Sequence, residues 1–332
     1  MNARRCVVLL LVAAVALASG LLFGSVPVSF GAVIHGLTSG GGGEAALVRE
    51  LRLPRVLLAF LVGGALGVSG ASLQALVRNP LADPYLVGLS GGAGLGAVLA
   101  IALHAGGPWA IPLAAFLGAL GAVAIVYRLS VVAGRRLDPH VLLLGGVVVG
   151  AFAGSLMSAV ITLASASELR SAMLWLLGGF GFASWPSVAV FAAYAILPLG
   201  ILVANARGLD LLTLGEDNAQ YLGADIERLK RRVYLSVAAL TGAAVAVSGV
   251  IGFVGLVVPH AMRRLFGPDH RRLLPLAMLA GACMLLGCDL VARLAYRALG
   301  TEPAVGAVTA LIGGPVFLVM LARGSRELGN MA

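Results

Sequence analysis

The chain has 332 residues, 60% of them hydrophobic and 11% charged, and its mean hydropathy is +1.02. This excludes a soluble globular domain and defines an all-α polytopic membrane protein, because apolar runs of about 20 residues, the length that crosses a bilayer as a helix, recur along it. The net charge of +9 reflects Lys and Arg held in cytosolic loops rather than a nucleic-acid partner.

In chain order, Arg4 and Arg5 precede the first apolar run, and Ala16-Leu17-Ala18 resembles a leader cleavage site. The run is read as a retained span, since everything downstream stays in the membrane. Spans are predicted at 6–24, 54–77, 86–104, 109–127, 140–164, 187–205, 233–250, 251–266, 273–298 and 304–322. The stretch 233–266 reads either as one long helix or as two short ones broken near Gly249 and Gly252. With two, both termini are cytosolic and 17 of the 23 Lys/Arg residues fall inside, leaving Arg49, Arg52, Arg55, Arg170, Arg293 and Arg297 outside. The positive-inside rule favours this ten-span arrangement. The second short piece then needs shielding by neighbouring helices.

Two longer connections fall outside. Ser25–Glu50 carries a flexible run at Gly40–Gly43, and Ser165–Trp185 holds a candidate external helix around Glu168 and Arg170. Val68-Ser69-Gly70 and Val247-Ser248-Gly249 stand the same ten residues ahead of Pro80 and Pro259. This faint repeat is of the inverted kind common in transporters.

The polar stretch Arg207–Arg232 differs from everything around it. It holds five acidic and five basic residues, among them Lys230, the only lysine. Leu214, Ala219, Leu222 and Ile226 follow the spacing of one face of a short helix. Gly215 and Gly223 punctuate it, and Asp217 or Asn218 is a candidate helix cap. It reads as a cytosolic helical elbow.

No Walker A motif is present: Lys230 follows Leu229, so ATP chemistry would have to come from a separate subunit. Gly67-Val68-Ser69-Gly70 and Gly88-Leu89-Ser90-Gly91 both fit the GxSG of intramembrane serine proteases, with His260 as a candidate base. The simpler reading of both is small-residue helix contact. An ion-coupled secondary transporter is the other alternative, but it needs ionisable groups at mid-span. The clear ionisable residues inside a span are Asp289 and Arg293, four apart near its outer end, which read equally as a local ion pair or as a docking site. Neither the five histidines nor Cys6, Cys283 and Cys288 show metal-ligand or redox spacing, so no metal or cofactor is implied.

Seven stretches together resemble one family. They are LRLPR (51–55), SGASLQALVRNPLADPYLVG (69–88), WLLGGF (175–180), LGEDNAQYLGAD (214–225), GFVGLVVPHAMRRLFGPDHRRLLP (252–275), DLVAR (289–293) and GAVTALIGGPVFLVML (306–321). The chain is similar to FecCD-type permease subunits of ABC importers for iron–siderophores, haem or cobalamin (vitamin B12). The resemblance implies a type II ABC importer permease fold, a single transmembrane domain over 1–332, in a bacterial plasma (inner) membrane. It implies a homodimer with the translocation path between protomers, two cytosolic ATP-binding subunits and an external substrate-binding protein. The coupling loop would be 207–232, with Leu214, Gly215, Glu216, Asp217, Ala219, Leu222 and Gly223 meeting the ATPase. Arg52, Arg55 and Arg293 would dock the binding protein. Two departures stand out: Glu302-Pro303-Ala304-Val305-Gly306 shifts the family's proline by one, and Cys288 replaces a small apolar residue.

Overall fold

The computed structural model describes residues 3–38, 42–134, 137–221, 223 and 225–329. Every regular element among them is helical. Helix α1 (Ala3–Leu22) is followed by α2 (Phe30–Thr38) and the short α3 (Glu44–Leu47). A widened turn, Val48–Arg52, runs directly into α4 (Leu53–Val77). Next come α5 (Leu89–Ala102), α6 (Ala110–Gly134), α7 (Pro139–Thr162), α8 (Ala166–Leu176) and α9 (Trp185–Ala204). The polar elbow forms α10 (Ala206–Thr213) and α11 (Glu216–Tyr221), and α12 (Ile226–Ser248), α13 (Val254–Phe266), α14 (His270–Leu299) and α15 (Val305–Gly329) complete the chain.

A helix thus stands at each of the ten predicted spans. Six of these stretches are long and apolar enough to cross a membrane unaided: α1, 44–77 with α4, α6, α7, α9 and α14. The other four fall short for physical reasons. Helix α5 and the apolar part of α15 are short, α12 carries Glu227–Arg232 in its first turns, and α13 has 13 residues. Helix α13 therefore measures about 20 Å at 1.5 Å per residue, less than the hydrocarbon core. Of the two readings of 233–266, the broken one is found: α12 ends at Gly249 (φ 69) and α13 starts after Phe253, which is left-handed at φ 69.

Helix α4 is apolar all round and buried along nearly its whole length, as a central helix must be. It packs on α14, α12, α13 and α9, while α5 packs on α6 and α7, and α12 touches both groups. Backbone proximity holds these crossings. A Cβ added at Gly63, Gly67 or Gly70 would meet the carbonyl oxygen of Gly281, Ala277 or Gly255 at 2.4, 2.3 and 1.9 Å. These glycines lie four and three residues apart on one face of α4. The GxSG stretch at 67–70 is thus a helix-contact stripe, and Ser69 Oγ within it is fully buried without a hydrogen-bond partner.

A helix is present in 165–185 as expected, α8. Ser165 and Glu168 close it with a capping box, and Glu168 reaches His104 Nε2 at 2.9 Å. Hydrogen bonds from Ser165, helped by His104, hold the Glu168 carboxyl below its ordinary range. The sequence repeat is not a repeat of local structure: Gly70 lies within α4, whereas Gly249 terminates α12. Gly40 and Gly41 of the predicted flexible run lie outside the described residues.

Candidate coupling and docking sites

The elbow departs from the single short helix that its apolar spacing suggested. Gly215 (φ 100) and Gly223 (φ 82) divide it, so Leu214 ends α10, Ala219 belongs to α11 and Ile226 starts α12. Positive φ costs glycine little and other residues more, and this fixes where the helices stop. The cap is also elsewhere. Asp225 caps α12 by accepting from Arg228 N at 3.0 Å. Asp217 sits in the first turn of α11, where a negative charge suits the helix dipole, and Asn218 Nδ2 donates back to Leu214 O at 2.8 Å. Leu222 lies outside the described residues.

Not all of the elbow's charges face solvent. Lys230 is 2% exposed, and its ammonium donates to Glu216 Oε2 (2.6 Å), Leu137 O (2.9 Å) and Glu227 Oε1 (3.4 Å). Its three N–H donors thus have three acceptors. Glu227 Oε2 accepts from Leu137 N at 3.0 Å. Arg78, the left-handed cap of α4, comes within 3.9 Å of Glu216. On α10, Asp210 accepts from the backbone N–H of His270 (2.9 Å) and contacts its ring Nδ1 (2.6 Å), tying the elbow to α14. Buried Leu209, Leu212 and Ala219 anchor its underside. Exposed at its tip are Leu214, Asp217, Asn218, Gln220, Tyr221 and Gly223, and Arg207, Asp225, Arg228, Arg231 and Arg232 are exposed on its flanks. Of the predicted coupling residues, Leu214, Asp217 and Gly223 face solvent, Gly215 and Glu216 are half-buried, and Ala219 is buried. The roles of Leu137 and Asp210 leave no local signal because their partners are far away in the chain, whereas Glu227 stands three residues from Lys230.

The arginines expected at the outer face converge at the opposite end of the bundle from the elbow. Arg52 donates through Nη1 to Leu21 O (2.7 Å) and Leu22 O (2.8 Å), and through Nη2 to Val26 O. Arg293 donates to Gly20 O (2.9 Å) and Phe23 O (3.0 Å), and Arg297 to Gly24 O (3.0 Å). These carbonyls end α1, where the helix dipole is negative and backbone acceptors lack partners, so cations fit there. Arg55 binds Asp289 Oδ1 through Nε (2.9 Å) and Nη2 (2.8 Å), and also Glu302. Arg293 Nε stands 2.9 Å from Asp289 Oδ2 as an ion pair without a well-directed hydrogen bond. The local Asp289–Arg293 pair is therefore real, and Arg55 joins it. Arg52 and Arg293 are buried, while the Arg55 side chain keeps 13% of its surface exposed. Arg293 Nη2 has no hydrogen-bond partner.

Between the two ends, three of the recurrent motifs meet through backbone alone. Gly178, Gly249 and Gly306 pack so closely that a Cβ on Gly249 would lie 2.2 Å from Trp175 O, and one on Gly306 2.1 Å from Leu177 O. Gly179 N donates to Ser248 O at 2.7 Å. The shifted proline of 302–306 leaves Gly306 in this junction.

A central glycine-packed bundle with a polar elbow at one end and a capped arginine cluster at the other defines a membrane permease. A profile of the FecCD transport family matches residues 9–323, and the chain belongs to that family. It is 43% identical over 275 residues to the cobalamin import system permease protein BtuC of Halobacterium salinarum, covering 83% of this chain and 73% of that one. It is 44% identical over 284 residues to the hemin transport system permease protein HmuU of Yersinia pestis, covering 82% of each. Its fold matches a solved metal-chelate type ABC transporter in an inward-facing conformation with a TM-score of 0.85, at 31% identity over 95% of this chain and 97% of that one. The chain is the permease subunit of an ABC importer, and ATP hydrolysis belongs to a separate subunit.

Proposed function

We propose that this permease imports an iron–siderophore, haem or cobalamin, working as a homodimer of ten-span protomers with both termini in the cytosol. Two ATP-binding subunits press on the elbows from inside, and a substrate-binding protein delivers cargo from outside. The observation that carries this reading is the elbow itself: a helix pair anchored below by Leu209, Leu212 and Ala219, with Leu214, Asp217 and Tyr221 turned outward. Tyr221 is 90% exposed and Leu214 58% exposed. Apolar side chains at such a tip are suited to a partner's cleft. The pairing of protomers is supported by α7. Its Ser155, Ser158 and Thr162 share an exposed face, and small hydroxyl residues are enriched where membrane helices meet, although each hydroxyl here is satisfied by its own helix. The chain then works by differential contact in two states, with no covalent step of its own. The ion-coupled alternative is disfavoured because Asp289, the clear acid within a span, is engaged by both Arg55 and Arg293 and so belongs to a local ion network.

The test is co-purification of the permease with its ATP-binding subunit, and uptake of each of the three substrates into proteoliposomes. Tyr221→Asp should abolish co-purification and leave the permease folded. Uptake of all three substrates without an ATP-binding subunit would sink the reading.

Docking at Arg55 requires an acid of the binding protein to replace Glu302. Glu302→Gln should therefore tighten the binding protein several-fold, and Arg55→Gln should loosen it by a similar factor, each in the range of about 0–1 kcal/mol typical of exposed ion pairs. Unchanged affinity in both variants, measured by surface binding to permease in nanodiscs, would remove Arg55 from the docking set.

A further inference from the structure

Glu216 and Lys230 fall in a stretch read as a docking surface, yet Lys230 has nothing left to offer a partner. Each of its donors is used inside the protein. The acceptors come from three separate places: α11 through Glu216, the first turn of α12 through Glu227, and the connection between α6 and α7 through Leu137. Leu137 is gripped twice, by its carbonyl at Lys230 and by its N–H at Glu227, and it is 2% exposed. The next residue, Asp138, caps α7 by accepting from His140 N (2.7 Å) and Val141 N (3.4 Å), while its own N–H donates to Ser130 Oγ of α6 (3.0 Å). A continuous line of short polar contacts therefore runs from the elbow tip to the start of α7. Lys230 is itself 2% exposed, so losing its contacts leaves a buried ammonium unpaired, while its carboxylate partners Glu216 and Glu227 reach the surface at 31% and 44% exposure.

We propose that Lys230 is a positioning residue, the pin through which displacement of α11 by the ATPase reaches α7. This inference rests on the coupling reading of the elbow and goes beyond it by naming the joint. It reassigns Glu216 from the docking face to the transmission. Glu216 is suited to the part: one carboxylate oxygen holds the pin at 2.6 Å and the other comes within 3.9 Å of Arg78 at the end of α4. Moving α11 thus loads α4 and α7 together. Helix α7 carries the exposed hydroxyl face, so the pin connects the ATPase side to the face proposed to line the path or the partner protomer.

The experiment uses the assembled permease and ATP-binding subunits in nanodiscs, with Cys6, Cys283 and Cys288 replaced by alanine. Spin labels are placed singly at Gln220→Cys on α11 and Leu144→Cys on α7. In the otherwise unaltered permease, the α11 label should be immobilised when the ATP-binding subunit is added. The α7 label should change mobility with ATP and vanadate. In Glu216→Ala and in Lys230→Met, the α11 label should still be immobilised and ATP hydrolysis should continue, while the α7 response falls by about tenfold, within the usual range of coupling energies. Glu216→Ala leaves Lys230 its bonds to Glu227 and Leu137, so it keeps the test open where Lys230→Met does not fold. A full α7 response in Glu216→Ala overturns the proposal. Failure of the α11 label to be immobilised in the unaltered permease instead overturns the coupling reading, and the proposal with it.

Discussion

Gly70→Val should eliminate the folded permease from the membrane, with monodisperse yield in detergent falling to background. The Cβ of any residue other than glycine would lie 1.9 Å from the carbonyl oxygen of Gly255 and 2.5 Å from its carbonyl carbon. The obstacle is backbone in a helix that is itself wedged between α4 and its neighbours, so it cannot rotate away as a side chain would. Overpacking in a dense core costs about 1–3 kcal/mol when side chains can yield, and here they are not what must yield. Gly70→Ala should therefore be nearly as damaging. Gly287→Ala is the control: it lies on α14 with open space where its Cβ would go, and its yield should match the parent. Normal yield from Gly70→Val would mean that α4 and α13 do not cross at these two glycines.

Asp289→Ala is expected to be the most damaging single change of charge. Asp289 is fully buried and is the carboxylate between Arg55 and Arg293. Removing it leaves two guanidiniums facing one another at the end of the bundle away from the elbow. Breaking a buried ion pair in this way costs about 3–5 kcal/mol, mostly as the penalty of an uncompensated charge. The melting temperature in detergent should drop sharply. The double variant Asp289→Ala/Arg293→Leu should recover part of the loss, since it removes one orphaned charge along with its partner. Additive losses in the double variant would show that Asp289 and Arg293 are not coupled, contrary to their 2.9 Å separation.

Both predictions concern residues whose type was legible in the chain while their role was not. The abundance of glycine indicated close helix packing, and the GxSG stretches were already better explained by it. Which glycines meet which carbonyls could not be read, because Gly63 and Gly281 belong to helices separated by more than 200 positions in the chain. Asp289 and Arg293 were visible as an i,i+4 pair on one helix. Arg55 as their third member was not, nor was the use of Arg52, Arg293 and Arg297 to cap α1. Capping of this kind leaves no local spacing signal, since donor and acceptor come from distant segments.

The elbow divides along the same line. Its polarity follows from sequence, because a polar stretch between apolar runs cannot lie in lipid, but its far boundary does not: residues 226–232 form the first turns of α12. Its internal breaks follow in principle from Gly215 and Gly223, although the apolar spacing alone joined across them. Which of its ten charges meet a partner was decided by folding: Lys230, Glu216, Glu227 and Asp210 find internal partners, and Asp217 stays outside.

The sequence by itself determined that the chain is a bundle of membrane helices without an ATP-binding motif, where its main apolar helices lie, and to which family it is similar. Those properties depend on composition and local pattern, which a linear chain carries openly. The tertiary structure decided which charges are spent inside the protein and which remain for partners. That outcome depends on the desolvation of each group by elements far away in the chain, and it exists only once those elements have packed.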